Sequence, residues 1–225
     1  MRMSDESPAA PGEMPSPGRM EAFSDGVFSI IVTLLVLDLR VPRTAALGGT
    51  SLGQALGQQW PMYAAFVLSF LQVGVVWANH HTMFHYIHRT DHKLLVYNLL
   101  LLLCAAVLPF TTAVLSEYIR GDPAQRRLAA QVYSGALMAT GVMFNVVWQH
   151  ALHANLVHPR ADAHRLYALR RHWLLVPVLY AIAFILAFVN VAVSIAMYVV
   201  LLFYYALPGP MVLRWATARY ARASL

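Results

Sequence analysis

From Gly26 to Leu37 the chain is apolar at every position except Ser29 and Thr33. Arg19, Ser24 and Asp25 stand just before this run, and Asp38, Arg40 and Arg43 just after it. A bilayer-crossing helix needs roughly 17–25 mostly apolar residues, which predicts a first span over Phe23–Val41. The same pattern predicts spans at about 61–84, 94–115 and 128–150. A last apolar block, Trp173–Leu213, would be roughly 60 Å long as one helix, twice the hydrocarbon core. Asn190 sits near its middle, so it divides into spans at about 173–189 and 192–213 joined by a tight turn. Pro109 and Pro177 fall inside spans and should bend them, with neighbouring helices satisfying the freed carbonyls.

The periodicity of the first span separates two kinds of residue. At about 100° per residue, Phe23, Val27, Ile30, Leu34, Leu37 and Val41 fall on one narrow stripe, with Thr33 at its edge. Ser24 and Asp25 point well away from it. The stripe suits either helix or lipid packing, or a hydrophobic constriction that gates a pore by excluding water. A carboxylate at the mouth of such a helix needs a partner or a wet cavity, which makes Asp25 a candidate functional residue. The second span carries WANHHTMF, with Trp77, His81 and Phe84 on one face, His80 beside them and Asn79 opposite. Buried indole and imidazole groups need hydrogen-bond partners. If the first two spans run antiparallel, Trp77 to His81 approach the depth of Ser24 and Asp25.

Composition sharpens this picture. Of 225 residues, 59% are hydrophobic and 12% charged, and the mean hydropathy is +0.56. Soluble domains carry about 25% charged residues. The expectation is an all-α polytopic membrane protein with six transmembrane helices over residues 19–215 and no soluble domain. Residues 1–18, MRMSDESPAAPGEMPSPG, read as a disordered cytoplasmic tail and lack the apolar core of a signal peptide. Residues 216–225 read as a second short cytoplasmic tail. Cys104 stands alone in an apolar run, which excludes an intrachain disulfide framework and a cysteine-based zinc site.

The net charge of +6 reflects membrane topology and not nucleic acid, because the basic residues lie between the apolar runs. With the N-terminus inside, Arg2, Arg19, Arg89, Lys93, Arg160, Arg165, Arg170, Arg171, Arg214, Arg219 and Arg222 fall on the inner side. Arg40, Arg43, Arg120, Arg126 and Arg127 fall on the outer side. The positive-inside rule then places both termini in the cytoplasm of a cell inner (plasma) membrane protein. Trp60, Tyr63, Tyr118 and Trp215 sit near span ends, where amphipathic rings favour the interface. No three-helix unit repeats, which weakens an inverted-repeat transporter.

Taken together, RMEAFSDGVFSIIVTLLVLDLRVP and WANHHTMF resemble the transmembrane protein 175 family of potassium channels. The Arg-x-x-x-Phe-Ser-Asp signature matches at Arg19, Phe23, Ser24 and Asp25. Leu-x-Leu-Asp-Leu-x-Val-Pro matches from Leu35 to Pro42, and Trp-x-x-His-His at Trp77, His80 and His81. The resemblance implies a pore lined by first helices, without a carbonyl-lined filter, and no TVGYG-like loop occurs here. It implies a constriction at Ile30, Leu34 and Leu37, with Thr33 as a polar pore layer. It implies a structural hydrogen-bond network of Arg19, Phe23, Ser24, Asp25, Trp77, His80 and His81. Animal members carry two six-helix repeats and work as dimers, so a single-repeat, prokaryotic-type chain is expected to be a homotetramer. Its partners are then potassium and other monovalent cations, the lipid bilayer and its own copies, with no catalytic residue, cofactor or metal.

Two other classes compete. Histidines cluster at His80, His81, His85, His88 and His92, then at His150, His153, His158 and His164. His81 with His85, and His150 with His153, have helical spacing for metal ligands, as in a histidine-rich membrane metalloenzyme. The repeated His-x-x-His-His boxes of di-iron desaturases are missing, and the spans offer few carboxylates. A secondary transporter would need an ionisable site near the midplane. The central thirds of the spans hold almost none.

Overall fold

The computed structural model describes residues 16–42 and 49–206. The two tails, including Arg2 and Trp215, and the loop residue Arg43 lie outside the described residues. The elements are α1 (Gly18–Leu34), α2 (Leu52–Gln58), α3 (Trp60–Tyr86), α4 (His92–Ala106), α5 (Leu108–Tyr118), α6 (Pro123–His153), α7 (Ala163–Val189) and α8 (Val191–Ala206). Among the described residues, five stretches are long and apolar enough to cross a membrane: Gly18–Asp38, Trp60–Tyr86, His92–Tyr118, Pro123–His153 and Ala163–Val189. The sixth expected span corresponds to α8, whose 16 described residues span about 24 Å; the rest of 192–213 lies outside the described residues.

The first span differs from the expected 23–41. Its helix starts earlier, at Gly18, because the polar signature is itself helical. It leaves α geometry after Leu34, passes through a 3-10 turn over Leu35–Asp38, and is extended at Leu39 (φ −74°, ψ 100°). Pro42 disfavours helical backbone at the residue before it, so Val41 does not continue the helix. Short polar side chains set the other boundaries. Asp122 caps α6 through Ala124 N–H and Gln125 N–H, with Pro123 in the first turn, where its missing N–H costs nothing. The α7 helix starts ten residues before the expected 173, where Asp162 accepts from His164 N–H. Asn190 makes the tight turn as expected: its backbone is extended, and its side chain caps Ala192 and Val193. The short helix α2, opened by a Ser51–Gln54 capping box, was not anticipated.

Long α6 runs through the middle, with α4, α5, α7 and α8 against it. The core includes Phe28, Leu35, Leu102, Tyr133 and Tyr180 in one cluster and Met83, Leu94, Trp148 and Trp173 in another. With no water in hydrocarbon, buried polar groups must find protein partners. Thr112 donates to Ser69, which meets the Tyr133 hydroxyl at 3.0 Å. Tyr180 donates to Gln72 Oε1, and Gln72 Nε2 donates to the Tyr198 carbonyl. These bonds tie α3, α5, α6, α7 and α8 together.

Pro177 shows the logic at one residue. It has no N–H for the Trp173 carbonyl four residues earlier, and Asn145 Nδ2 donates to that oxygen at 2.8 Å instead. The helices touch at the same place: a Cβ on Gly141 would lie 2.8 Å from Val176 Cγ1 and 3.4 Å from the Pro177 nitrogen. Asn145→Leu is expected to lower the melting temperature in detergent, by about 1–3 kcal/mol of stability for a stranded buried acceptor. Adding Pro177→Ala, which restores the helical donor, should recover part of that loss. Strictly additive destabilisation in the double variant would refute the compensation.

Candidate functional site: the two faces of the first helix

The first helix is anchored on one side and bare on the other. Met20, Ser24, Phe28, Ile31 and Leu35 are buried in the helical bundle. Across the helix, Phe23, Ile30, Leu34 and Leu37 are 55%, 58%, 42% and 73% exposed. Thr33 is exposed beside them, and its hydroxyl bonds the Ile30 carbonyl at 2.9 Å. Leu37 stands in the 3-10 turn and not in regular α-helix, and Val41 is beyond it.

The anchor is a relay of three side chains from three helices. Ser24 Oγ donates to the Met20 carbonyl at 2.8 Å and accepts from Asn98 Nδ2 at 2.9 Å. Asn98 Oδ1 is 2.9 Å from His80 Nε2. An amide oxygen only accepts, so the proton sits on Nε2 and Nδ1 is bare. Ser24 and His80 have no exposed surface, and Asn98 has 1%. The His80 ring stacks on Phe84 at 4.4 Å and meets the edge of Phe28 at 5.3 Å.

A second layer lies nearer the surface. Trp77 Nε1–H donates to Asp25 Oδ1 at 2.9 Å. His81 Nδ1 is 3.0 Å from Glu21 Oε1, and its ring stacks on Trp77 at 6.2 Å. Asp25 is half-buried and not a fully buried carboxylate. The motif is thus split: Ser24 and His80 meet through Asn98, while Asp25 and His81 pair with Trp77 and Glu21. Arg19 and Phe23 take part in neither layer. Phe23 has no polar group to contribute and faces outward. Arg19 is exposed and makes no ion pair among the described residues. It lines an open cleft with Met20, Phe23, Asp91, His92 and Leu95. Asn79 faces elsewhere, accepting from Trp173 Nε1–H and donating to the Val75 and Tyr205 carbonyls.

Asn98 and Glu21 are the residues that sequence reasoning missed. The signal for Asn98 is visible in LLVYNLLLLL, an isolated amide in an apolar run that lipid cannot satisfy. Glu21 has no comparable signal, since it belongs to the polar opening of the span.

The histidines disperse. Beyond His80 and His81, His150 Nε2 pairs with Asp91 at 2.9 Å, and His88 meets His158. Burial opposes the Asp91 carboxylate, yet the Leu94 N–H, His150 and Lys93 outweigh it and hold the carboxyl below its ordinary value. Among the described residues, no three His, Cys, Asp or Glu side chains converge as a metal site.

Long apolar helices, a polar relay buried between them and an unpartnered apolar stripe define an all-helical polytopic membrane protein. Residues 19–109 match the family model described as "Endosomal/lysosomal potassium channel TMEM175". The chain is 44% identical over 189 residues to a potassium channel of Streptomyces collinus, covering 84% of this chain and 90% of that one. It is 42% identical over 196 residues to a potassium channel of Chamaesiphon minutus, covering 87% and 96%. The crystal structure of a lysosomal potassium-selective channel TMEM175 homolog from Chamaesiphon minutus superposes with a TM-score of 0.78 at 40% identity, over 85% of this chain and 97% of that one. The chain belongs to the TMEM175 family.

The two layers differ in burial, and so in expected cost. Asn98→Leu strands the His80 N–H and should cost about 1–3 kcal/mol. Trp77→Phe removes a partly solvated bond and should cost less. Thermal melting of both variants checks the order. If Trp77→Phe proves the more damaging, the buried relay is not the main anchor.

Proposed function

We propose that the protein is a potassium-permeable cation channel in which four copies place their α1 helices around one axis. The observation that carries this reading is the asymmetry of α1. One face is locked into the bundle, and the other leaves Ile30, Leu34 and Leu37 58%, 42% and 73% exposed. One such helix cannot enclose an ion path, because cations need water or polar ligands in hydrocarbon. Several copies around an axis can, and closed cyclic symmetry is the usual arrangement of identical subunits. The family relatives named as potassium channels support the choice of ion.

In this reading Ile30, Leu34 and Leu37 form the constriction, and Thr33 adds a polar layer. The ring offers few ligands, so discrimination follows from the cost of dehydrating an ion at a narrow apolar passage. Conduction is passive, and selectivity for potassium over sodium is modest. The Ser24, Asp25, Trp77, His80 and His81 contacts set the rotation of the pore helix and do not touch the ion. Both termini face the cytoplasm in the plasma membrane, in keeping with the loop charges.

Planar-bilayer recording with opposed potassium and sodium gradients tests the function, and the reversal potential should favour potassium. Ile30→Asn should wet the ring and raise sodium permeability relative to potassium. Unchanged conductance and selectivity in that variant would move the constriction elsewhere. Native mass spectrometry in mild detergent should report a tetramer of the 25.0 kDa chain. A conducting monomer or a strict dimer would remove the axial pore. Asp25→Ala should lower tetramer yield before it alters selectivity. A stable tetramer with changed selectivity would instead place Asp25 in the ion path.

A further inference from the structure

We propose that the rim formed by the α3–α4 and α6–α7 loops is a binding site for the phosphate headgroup of an anionic phospholipid. The two loops are clipped to each other by backbone hydrogen bonds. His158 N–H donates to the Tyr86 carbonyl at 2.9 Å, and His88 and Arg89 N–H donate to the Leu156 carbonyl at 2.8 and 3.2 Å. Ile87 and Val157 form an isolated antiparallel bridge. Buried Ile87 and Leu156 seat this clip on the core. Asn155, in left-handed backbone at φ 53°, makes the reversal that returns the chain to the clip.

The clip gathers positive and hydrogen-donating groups. It holds the His88 and His158 rings 5.0 Å apart on the exposed surface. Arg160 N–H donates to His158 Nδ1 at 3.2 Å, so the remaining ring proton is on Nε2, which is left as a donor. Arg89 follows His88 in the chain and Arg160 lies two residues beyond His158; both are exposed. The two acids of these loops are already committed. Asp91 accepts from Leu94 N–H at 2.7 Å and pairs with His150. Asp162 accepts from His164 N–H at 2.9 Å and sits 3.9 Å from Arg165. Neither arginine has an ion-pair partner among the described residues. Arg89 and Arg160 on the same two loops make the local charge positive, which opposes a divalent cation, so the paired imidazoles suit an anion better than a metal.

Position selects the kind of anion. The α3 and α6 helices have 27 and 31 residues, or about 40 and 46 Å at 1.5 Å per residue. Both exceed a hydrocarbon core of about 30 Å, which puts their shared end in the headgroup zone. Basic groups at that depth attract anionic headgroups, and guanidinium matches phosphate oxygens in a bidentate fork.

The test uses the full chain in mild detergent, with phosphatidylglycerol or phosphatidylcholine added and retained lipid counted by native mass spectrometry. Wild type should retain phosphatidylglycerol in preference to phosphatidylcholine. R89Q/R160Q, at two exposed positions, should reduce retained phosphatidylglycerol at least threefold with an unchanged melting temperature. R170Q/R171Q, equal in charge but on the exposed surface of α7, should leave retention near wild type. Unchanged retention in R89Q/R160Q would overturn the proposal. So would an equal loss in R170Q/R171Q, which would mean diffuse attraction to basic charge. Displacement of the lipid by millimolar inorganic phosphate would make the rim a free-anion site and overturn the assignment to lipid.

Discussion

The rotation of α1 about its own axis is the quantity on which the other features depend, and a buried hydroxyl sets it. Ser24 lies where water cannot reach, so its oxygen must be satisfied by protein. It donates back to Met20 and accepts from Asn98, which in turn holds His80. That relay joins α1, α4 and α3. A rotation of α1 by one residue, about 100°, would carry Ser24 Oγ away and strand the Asn98 Nδ2 donor. The opposite stripe of Ile30 and Leu34, 58% and 42% exposed, is thereby fixed in direction.

The same economy of polar groups recurs through the bundle. Helices that share only apolar surface can slide or rotate in lipid, since lipid tails are as apolar as leucine. Side-chain bonds between them restrict that freedom. Asn145 on α6 bonds the α7 carbonyl that Pro177 leaves open, and Gly141 lets the two helices meet there. Gln72 and Ser69 do the same for α3 against its neighbours. The α1 helix is held by fewer such bonds than α6 or α7, concentrated near its start. Its far end, Leu35–Asp38, unwinds into a 3-10 turn.

Polar pairs at different depths carry different weight. The Ser24–Asn98–His80 relay is sealed, so each of its bonds competes only with an unmade bond. Asp25–Trp77 and Glu21–His81 lie half open, where solvent offers alternatives. A signature contiguous in sequence thus divides into an inner lock and an outer layer. Successive helical residues point about 100° apart, so Ser24 and Asp25 were bound to face different surroundings.

Much of the architecture was legible in the residues alone. Span positions follow from runs of apolar residues, because the bilayer sets a length and punishes charge. Asn190 as a turn and Pro177 inside a helix were readable for similar local reasons. The outward stripe of α1 was readable as a periodicity, and Ser24 and Asp25 as residues needing partners. Which partners they took was not readable. Asn98 lies 74 residues from Ser24, and only the packing of α4 against α1 and α3 brings it there. Helix ends moved for comparable reasons: the hydrocarbon requirement marks the apolar middle of a span, while capping aspartates outside it decide where helical bonding starts. The histidines carry the same lesson, since their spacing allowed metal ligation, whereas the fold turned His80 toward Asn98, His81 toward Glu21 and His150 toward Asp91. Sequence determined what must be buried and what needed a hydrogen bond; the fold alone decided which distant group met that need.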